Sequence, residues 1–181
     1  MGAIAWIGDL IEWVSELIPR LGVCTAKQAG VKCARGKVKP VKPGLFLYWP
    51  VTTEVELVET SRQTLNLSSQ TLTTSDGYAV LVSAVVVYRV EDPTTVLVEV
   101  SDWEDTLGDA ALGSVVDVVG NSSFEDVREE LTGSIEKSIR HKTRLALKPY
   151  GIKVERAFLS DFAECRVYKV AGDGQVSVVP E

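Results

Sequence analysis

Between Leu17 and Thr53 the chain has no acidic residue at all, while Arg20, Lys27, Lys32, Arg35, Lys37, Lys39 and Lys42 fall inside that interval. From Glu91 to Glu136 the shortage is reversed, with Arg128 the only base among many carboxylates. The two segments carry opposite potentials, and the net charge of −6 excludes the overall basic footprint that nucleic acid requires. A single histidine, His141, limits nucleophilic triads to one that uses it, and it sits among Arg140, Lys142 and Arg144 with no orienting acid nearby. No glycine-rich phosphate loop follows a strand, since Gly172-Asp173-Gly174 lies in a turn with no helix after it. Cys24, Cys33 and Cys165 contain no Cys-x₂-Cys knuckle and belong, with His141, to unrelated segments, which speaks against zinc. Their odd number in a chain of 181 residues points to a reducing compartment rather than a disulfide framework. Asp102, Glu104 and Asp105 read as helix-start charges rather than an acid/base pair. No catalytic, cofactor or metal site is therefore expected, and the chain reads as a non-enzyme.

No apolar run is long enough to span a bilayer. What stands at the start is Ile4 to Ile18, where Ile4, Ile7, Leu10, Ile11, Val14, Leu17 and Ile18 recur at helical spacing, flanked by Trp6 and Trp13, with Asp9, Glu12 and Glu16 opposite. This predicts an amphipathic helix ended by Pro19. No basic region precedes it, so it is not a signal peptide, and Trp6 stands where a myristoylation signal needs Ser or Thr. Two readings stay open. One is an interfacial anchor, with the apolar residues and both tryptophans in lipid and Arg20, Lys27, Lys32 and Arg35 against anionic headgroups, at about 1 kcal/mol per base. The other is a helix packed on its own domain or on a neighbouring subunit, favoured by its acidic polar face.

The interval from Gly22 to Lys42 reads as irregular, with a short strand over Val38 to Val41. Pro43 to Pro50 encloses a short aromatic strand expected in the core. Thr53 to Glu59 sets Val55 and Leu57 inward against Glu54 and Glu56. The longest element is a hairpin from Arg62 to Pro93, turned at Ser75-Asp76-Gly77 with an Asp-Gly type I′ signature. Its second arm, Tyr78 to Val90, is apolar enough for a central strand covered on both faces. Thr94 to Val100 fits either a helix or a strand. A helix follows over Trp103 to Val119, with Trp103, Leu107, Ala110, Ala111, Val115, Val118 and Val119 inward and Gly120-Asn121 as a left-handed stop. A second helix, capped by Ser122 or Ser123, runs from Phe124 to about Lys148 on a stripe of Phe124, Val127, Leu131, Ile135, Ile139 and Leu145. A final strand covers Ile152 to Asp161. The order implies an α+β fold, a mostly antiparallel sheet with two helices on one side.

Several stretches, in this order, resemble the SPFH (band 7) domain of stomatins, prohibitins and flotillins: Pro43-Gly44-Leu45-Phe46 with Pro50, Asp76-Gly77-Tyr78-Ala79-Val80, and Tyr88-Arg89-Val90-Glu91-Asp92-Pro93. Leu112 to Asn121, the Arg128 to Leu147 helix and Tyr150-Gly151-Ile152-Lys153-Val154 with Asp161 continue the likeness, which covers about Val31 to Phe162. The resemblance implies a membrane-attaching segment at 1–22, a domain at 23–165 on the cytoplasmic leaflet, and a short hairpin tail at 166–181. It also implies a non-enzymatic scaffold that forms homo-oligomeric rings, cages or filaments and organises membrane microdomains, client membrane proteins or proteases. Under it the anchor reading of the first helix is preferred. Cys24 and Cys33 become candidate acylation sites, against the plain reading of buried cysteines. The family's long coiled-coil extension is not seen after Asp161, so assembly is expected to use the domain's own faces. Basic and acidic segments on one chain suit a head-to-tail contact. The alternative is a soluble assembly or shell module, such as a virion component, whose first helix packs on protein rather than lipid.

Overall fold

The computed structural model describes residues 18–130, 133–165, 168–170 and 176–178. The expected N-terminal helix lies outside the described residues except for Ile18, which occupies an exposed bend before Pro19. The rest is α+β, as expected, with antiparallel pairing and several helices. The expected single sheet is replaced by separate sheets, and the chain divides into two compact units at Ser61/Arg62, Arg89/Val90 and Ser101/Asp102.

The first unit contains the segment read as irregular. It holds β1 (Arg20–Cys24), β2 (Gln28–Ala34), β3 (Lys37–Val41), β4 (Gly44–Tyr48), β5 (Thr53–Glu59) and the helix α1 (Pro93–Glu99). β1 pairs with β4, and β2 runs between β3 and β5. β3, β4 and β5 fall where strands were expected, whereas β1 and β2 escape a hydrophobicity reading because Gly, Ala and Lys occupy positions where a period of two would need large apolar residues. β2 and β3 are joined by Arg35-Gly36, both left-handed at φ 51° and 72°, the two-residue geometry that matches strand twist. Gly30 in β2 admits no side chain, since a Cβ would sit 1.9 Å from the Glu56 carbonyl oxygen on β5. On β5 the expected alternation fails: Val58 is buried and Leu57 exposed, so the run-on valine marks a shift of face. The undecided stretch after Pro93 is a helix, because the Asp92 carboxylate accepts from the Thr94 and Thr95 N–H groups and Pro93 stands at its first turn.

The second unit is built on β6 (Gln63–Thr73), β7 (Ala79–Val90) and β8 (Ile152–Glu164), with β7 in the centre. Val80, Val82, Ala84, Val86 and Tyr88 bury one face of β7. The other face is only partly covered, with Leu81 exposed, so the expectation of full cover holds for alternate residues only. Ser68 and Ser69 bulge out of register between the pairs Leu67/Ala84 and Gln70/Val82, and Ser69 shares a hydroxyl hydrogen bond of 2.7 Å with Ser83. The hairpin exists, but its turn is not type I′. Gly77 alone has positive φ, 89°, and its N–H donates to the Thr74 carbonyl, the form a three-residue loop with a glycine bulge takes.

The helices α2 (Trp103–Gly120), α3 (Phe124–Glu129) and α4 (Ser134–Leu147) complete this unit, α2 against β6 and α4, and α4 against β8. Leu107, Ala111, Val115, Val118 and Val119 are the buried stripe of α2. Its end is not left-handed: Asn121 has φ −96° and ψ 1°, and its amide donates to the Asp117 carbonyl. The expected single helix from Phe124 to Lys148 is broken before Gly133, whose φ and ψ of −107° and −106° lie outside helical space. Within α4, Leu147 continues the four-residue row of Ile135, Ile139 and Thr143 and is buried, while Leu145, expected in the core, lies off that row and is 58% exposed. Ser123 caps α3 by accepting from the Asp126 N–H at 3.1 Å. A 3₁₀ turn at Lys148–Tyr150 and Gly151 at φ 73° end α4. β9 (Tyr168–Val170) pairs antiparallel with β10 (Val176–Val178).

Candidate functional site

The β1–β4 ribbon places Leu21 opposite Leu47 and Val23 opposite Leu45. Residues opposed in register share a face, so these side chains form one apolar surface, and they are 63%, 53%, 61% and 70% exposed. Ile18, Trp49 and Val51, just outside the ribbon's paired residues, are also exposed. On the reverse face the Phe46 ring lies over Gly22, 2.4 Å from where a Cβ would stand, and stacks obliquely with Tyr48 at 5.9 Å. The aromatic run expected in the core is thus half-buried at Phe46 and Tyr48 and open at Trp49. A contiguous exposed patch of this kind marks an interaction surface rather than scattered surface leucines.

Of the bases expected at headgroups, only Lys32 and Arg35 come together. With Lys37, Lys39 and Lys42 they line an open groove of about 790 Å³, rimmed by Leu45 and Trp49, and Arg20 and Lys27 lie outside it. Lys32 stands directly opposite Lys39 across β2 and β3. The carboxylates of the adjoining strand do not offset this pair, because Glu54 and Glu56 oppose Cys33 and Val31 on the other face of β2. In the second unit Arg62, Arg89, Arg128, Lys142 and Arg156 each hold an ion pair. Sequence reasoning missed Leu21, Val23, Leu45 and Leu47. Their odd-numbered spacing was visible, but Gly22 and Phe46 between them removed the polar alternation that flags a two-faced strand.

The second unit carries the complementary feature, an acidic groove of about 430 Å³ lined by Glu104, Asp105 and Asp109 beside Leu65, Gln70 and Leu112. Its shifted titrating groups have structural roles. The Thr74 hydroxyl and the Phe124 N–H hold Asp76 below the ordinary carboxylate range. Burial, reinforced by Glu104, pushes the Tyr88 phenol up, and its hydroxyl donates to Gln63 at 2.9 Å. In the first unit the Thr95 hydroxyl likewise lowers Asp92 at the start of α1. His141 is exposed. Cys24 is buried, its thiol donating to the Gln28 carbonyl at 3.3 Å, which withdraws it from surface chemistry. Among the described residues no helix is long and apolar enough to cross a membrane.

Residues 23–171 match the SPFH domain / Band 7 family. The chain belongs to that family. An uncharacterised protein of Archaeoglobus fulgidus is 29% identical over 86% of this chain and 63% of its own length. A stomatin homolog of Pyrococcus horikoshii is 27% identical over 66% of this chain and 44% of its own length. Stomatin-1 of Caenorhabditis elegans is 29% identical over 66% of this chain and 36% of its own. The chain thus spans less than two thirds of each of these relatives. The family expectation drawn from the Pro43, Asp76 and Tyr88 motifs is borne out, and the matched stretch contains the basic groove and, of the apolar ribbon, Val23, Leu45 and Leu47.

Proposed function

We propose that this SPFH domain is a non-enzymatic, membrane-associated scaffold that meets an anionic bilayer through its first unit. The observation that carries the reading is the pairing of Leu21 with Leu47 and Val23 with Leu45 on one exposed face, beside a groove that gathers Lys32, Arg35, Lys37, Lys39 and Lys42 with no carboxylate among the described residues that line it. Burying such a face in the interfacial layer gains about 25 cal/mol per Å² of apolar surface, and each nearby base adds attraction to an anionic leaflet. The residues Ile4, Trp6, Ile7, Leu10, Ile11, Trp13, Val14, Leu17 and Ile18, immediately before the ribbon, supply the amphipathic anchor. The attachment is peripheral and on the reducing, cytoplasmic side. Oligomerisation through the domain's own faces, and the gathering of membrane proteins or proteases around it, follow the family resemblance. Flotation on anionic vesicles tests the attachment: the chain rises with the vesicles, and a form lacking residues 1–21 rises less. A chain left in the soluble fraction under both conditions contradicts it.

A second reading is a soluble assembly module. It is favoured by the acidic groove at Glu104, Asp105 and Asp109, which complements the basic groove of the first unit and suits head-to-tail contact between copies. Under this reading the particle mass falls on going from low to high salt. A mass independent of salt removes the charge-driven contact.

A further inference from the structure

We propose that the groove between β2, β3 and β4 is a selective site for a phosphate monoester on a lipid headgroup, distinct in chemistry from general attraction to anionic lipid. The inference rests on the membrane reading above and narrows it to one ligand class. Three features of the groove point to an absent polyanion. It gathers Lys32, Arg35, Lys37, Lys39 and Lys42 without lining carboxylates. Lys32 and Lys39 stand opposite each other in the ladder, a like-charge arrangement that destabilises a sheet unless an anion lies between. Arg35 occupies the first position of its turn at φ 51°, where Asn, Asp or Gly is the low-cost residue. A strained backbone that keeps a guanidinium at a binding rim is what a functional constraint produces.

The chemistry matches a phosphate monoester better than a carboxylate or a phosphodiester. A monoester approaches a charge of about −2 at neutral pH and presents three acceptor oxygens. The Arg35 fork can take two of them. Lys32 already gives one N–H to the Leu47 carbonyl at 2.7 Å and keeps further donors on its ammonium. Leu45 and Trp49 at the rim belong to the same stretch as the exposed ribbon, so a headgroup held in the groove leaves its glycerol and acyl portion against apolar side chains.

The test compares vesicles containing phosphatidylinositol bisphosphate with phosphatidylserine vesicles of equal total charge, and adds free inositol trisphosphate as a soluble competitor. Expected are a preference for the bisphosphate vesicles, competition by the trisphosphate, and loss of the preference in Lys37→Ala/Lys39→Ala. Arg35→Asn is expected to weaken binding about fivefold while leaving the melting temperature unchanged or raising it, since Asn tolerates the left-handed turn. A purely structural role for Arg35 would lower both together. Equal flotation on both vesicle types without competition overturns the site and leaves the membrane reading standing. Trisphosphate binding without flotation on any vesicle overturns the lipid source and assigns the groove to a soluble phosphate ester. A salt-sensitive dimer lost in Lys37→Ala/Lys39→Ala, with no trisphosphate binding, assigns it to a second copy instead.

Discussion

The ammonium of Lys32 on β2 donates to the main-chain carbonyl of Leu47 on β4 at 2.7 Å. With the Cys24 thiol on β1, which donates to the Gln28 carbonyl on β2, this contact ties the β1–β4 ribbon to the β3–β2–β5 sheet within the first unit. Replacing Lys32 by Met keeps the stem and removes the donor. At high salt, where the repulsion from Lys39 across the ladder is screened, stability is expected to fall by about 1 kcal/mol, the net worth of a hydrogen bond, and a urea melt reads it. No loss at high salt would contradict a stabilising Lys32–Leu47 bond.

Asp76 reaches from the β6–β7 turn to the start of α3, accepting from the Phe124 N–H at 3.0 and 3.1 Å and from the Thr74 hydroxyl. The hydroxyl is the larger cause of its lowered pKa. Because the folded carboxyl titrates below its unfolded value, its stabilisation is complete above about pH 4 and is lost as pH falls through the depressed folded value. Asp76→Asn is expected to be less stable at neutral pH and to lose less on acidification than the parent. Parallel acid-unfolding curves for the two proteins would show that the carboxylate does not do this.

Two glycines of the first unit separate backbone from side-chain constraint. A Cβ at Gly30 meets the Glu56 carbonyl at 1.9 Å, whereas one at Gly22 meets the Phe46 ring at 2.4 Å. The ring can rotate away and the carbonyl, fixed in the β2–β5 ladder, cannot. Gly30→Ala is expected to cost about 3 kcal/mol, the upper part of the overpacking range. Gly22→Ala is expected to cost clearly less. Thermal melts of the two variants check the order, and equal losses would contradict it.

The sequence made the second unit readable because its signals are local and strong. The β-branched run of β7 and the stripe Leu107, Ala111, Val115, Val118 fixed a central strand and a helix. The turn chemistry at Asp76 was misread because its decisive partner, the Phe124 N–H, is 48 residues away. The break at Gly133 was hidden because apolar residues on either side of it stay near helical spacing, and Leu145 was placed in the core although it is Leu147 that continues the four-residue row of Ile135 and Ile139. The first unit was the least legible. β1 and β2 carry glycines and lysines at inward or facing positions and read as irregular, and the aromatic strand β4 read as core although Leu45 is among the most exposed side chains. Charge alone marked the whole basic run from Arg20 to Lys42, while the β2–β3 register was needed to set Lys39 opposite Lys32 and to separate the groove from Arg20 and Lys27.

The claim that the β1–β4 face meets lipid is tested most directly by flotation of Leu45→Ser/Leu47→Ser beside the parent chain on anionic vesicles. Both residues are exposed, so the variant keeps its fold, which a circular dichroism spectrum verifies. The parent is expected to float and the variant's bound fraction to drop at least about tenfold, since two leucine side chains withdrawn from lipid are worth about 3 kcal/mol or more. Undiminished flotation of the folded variant would contradict it.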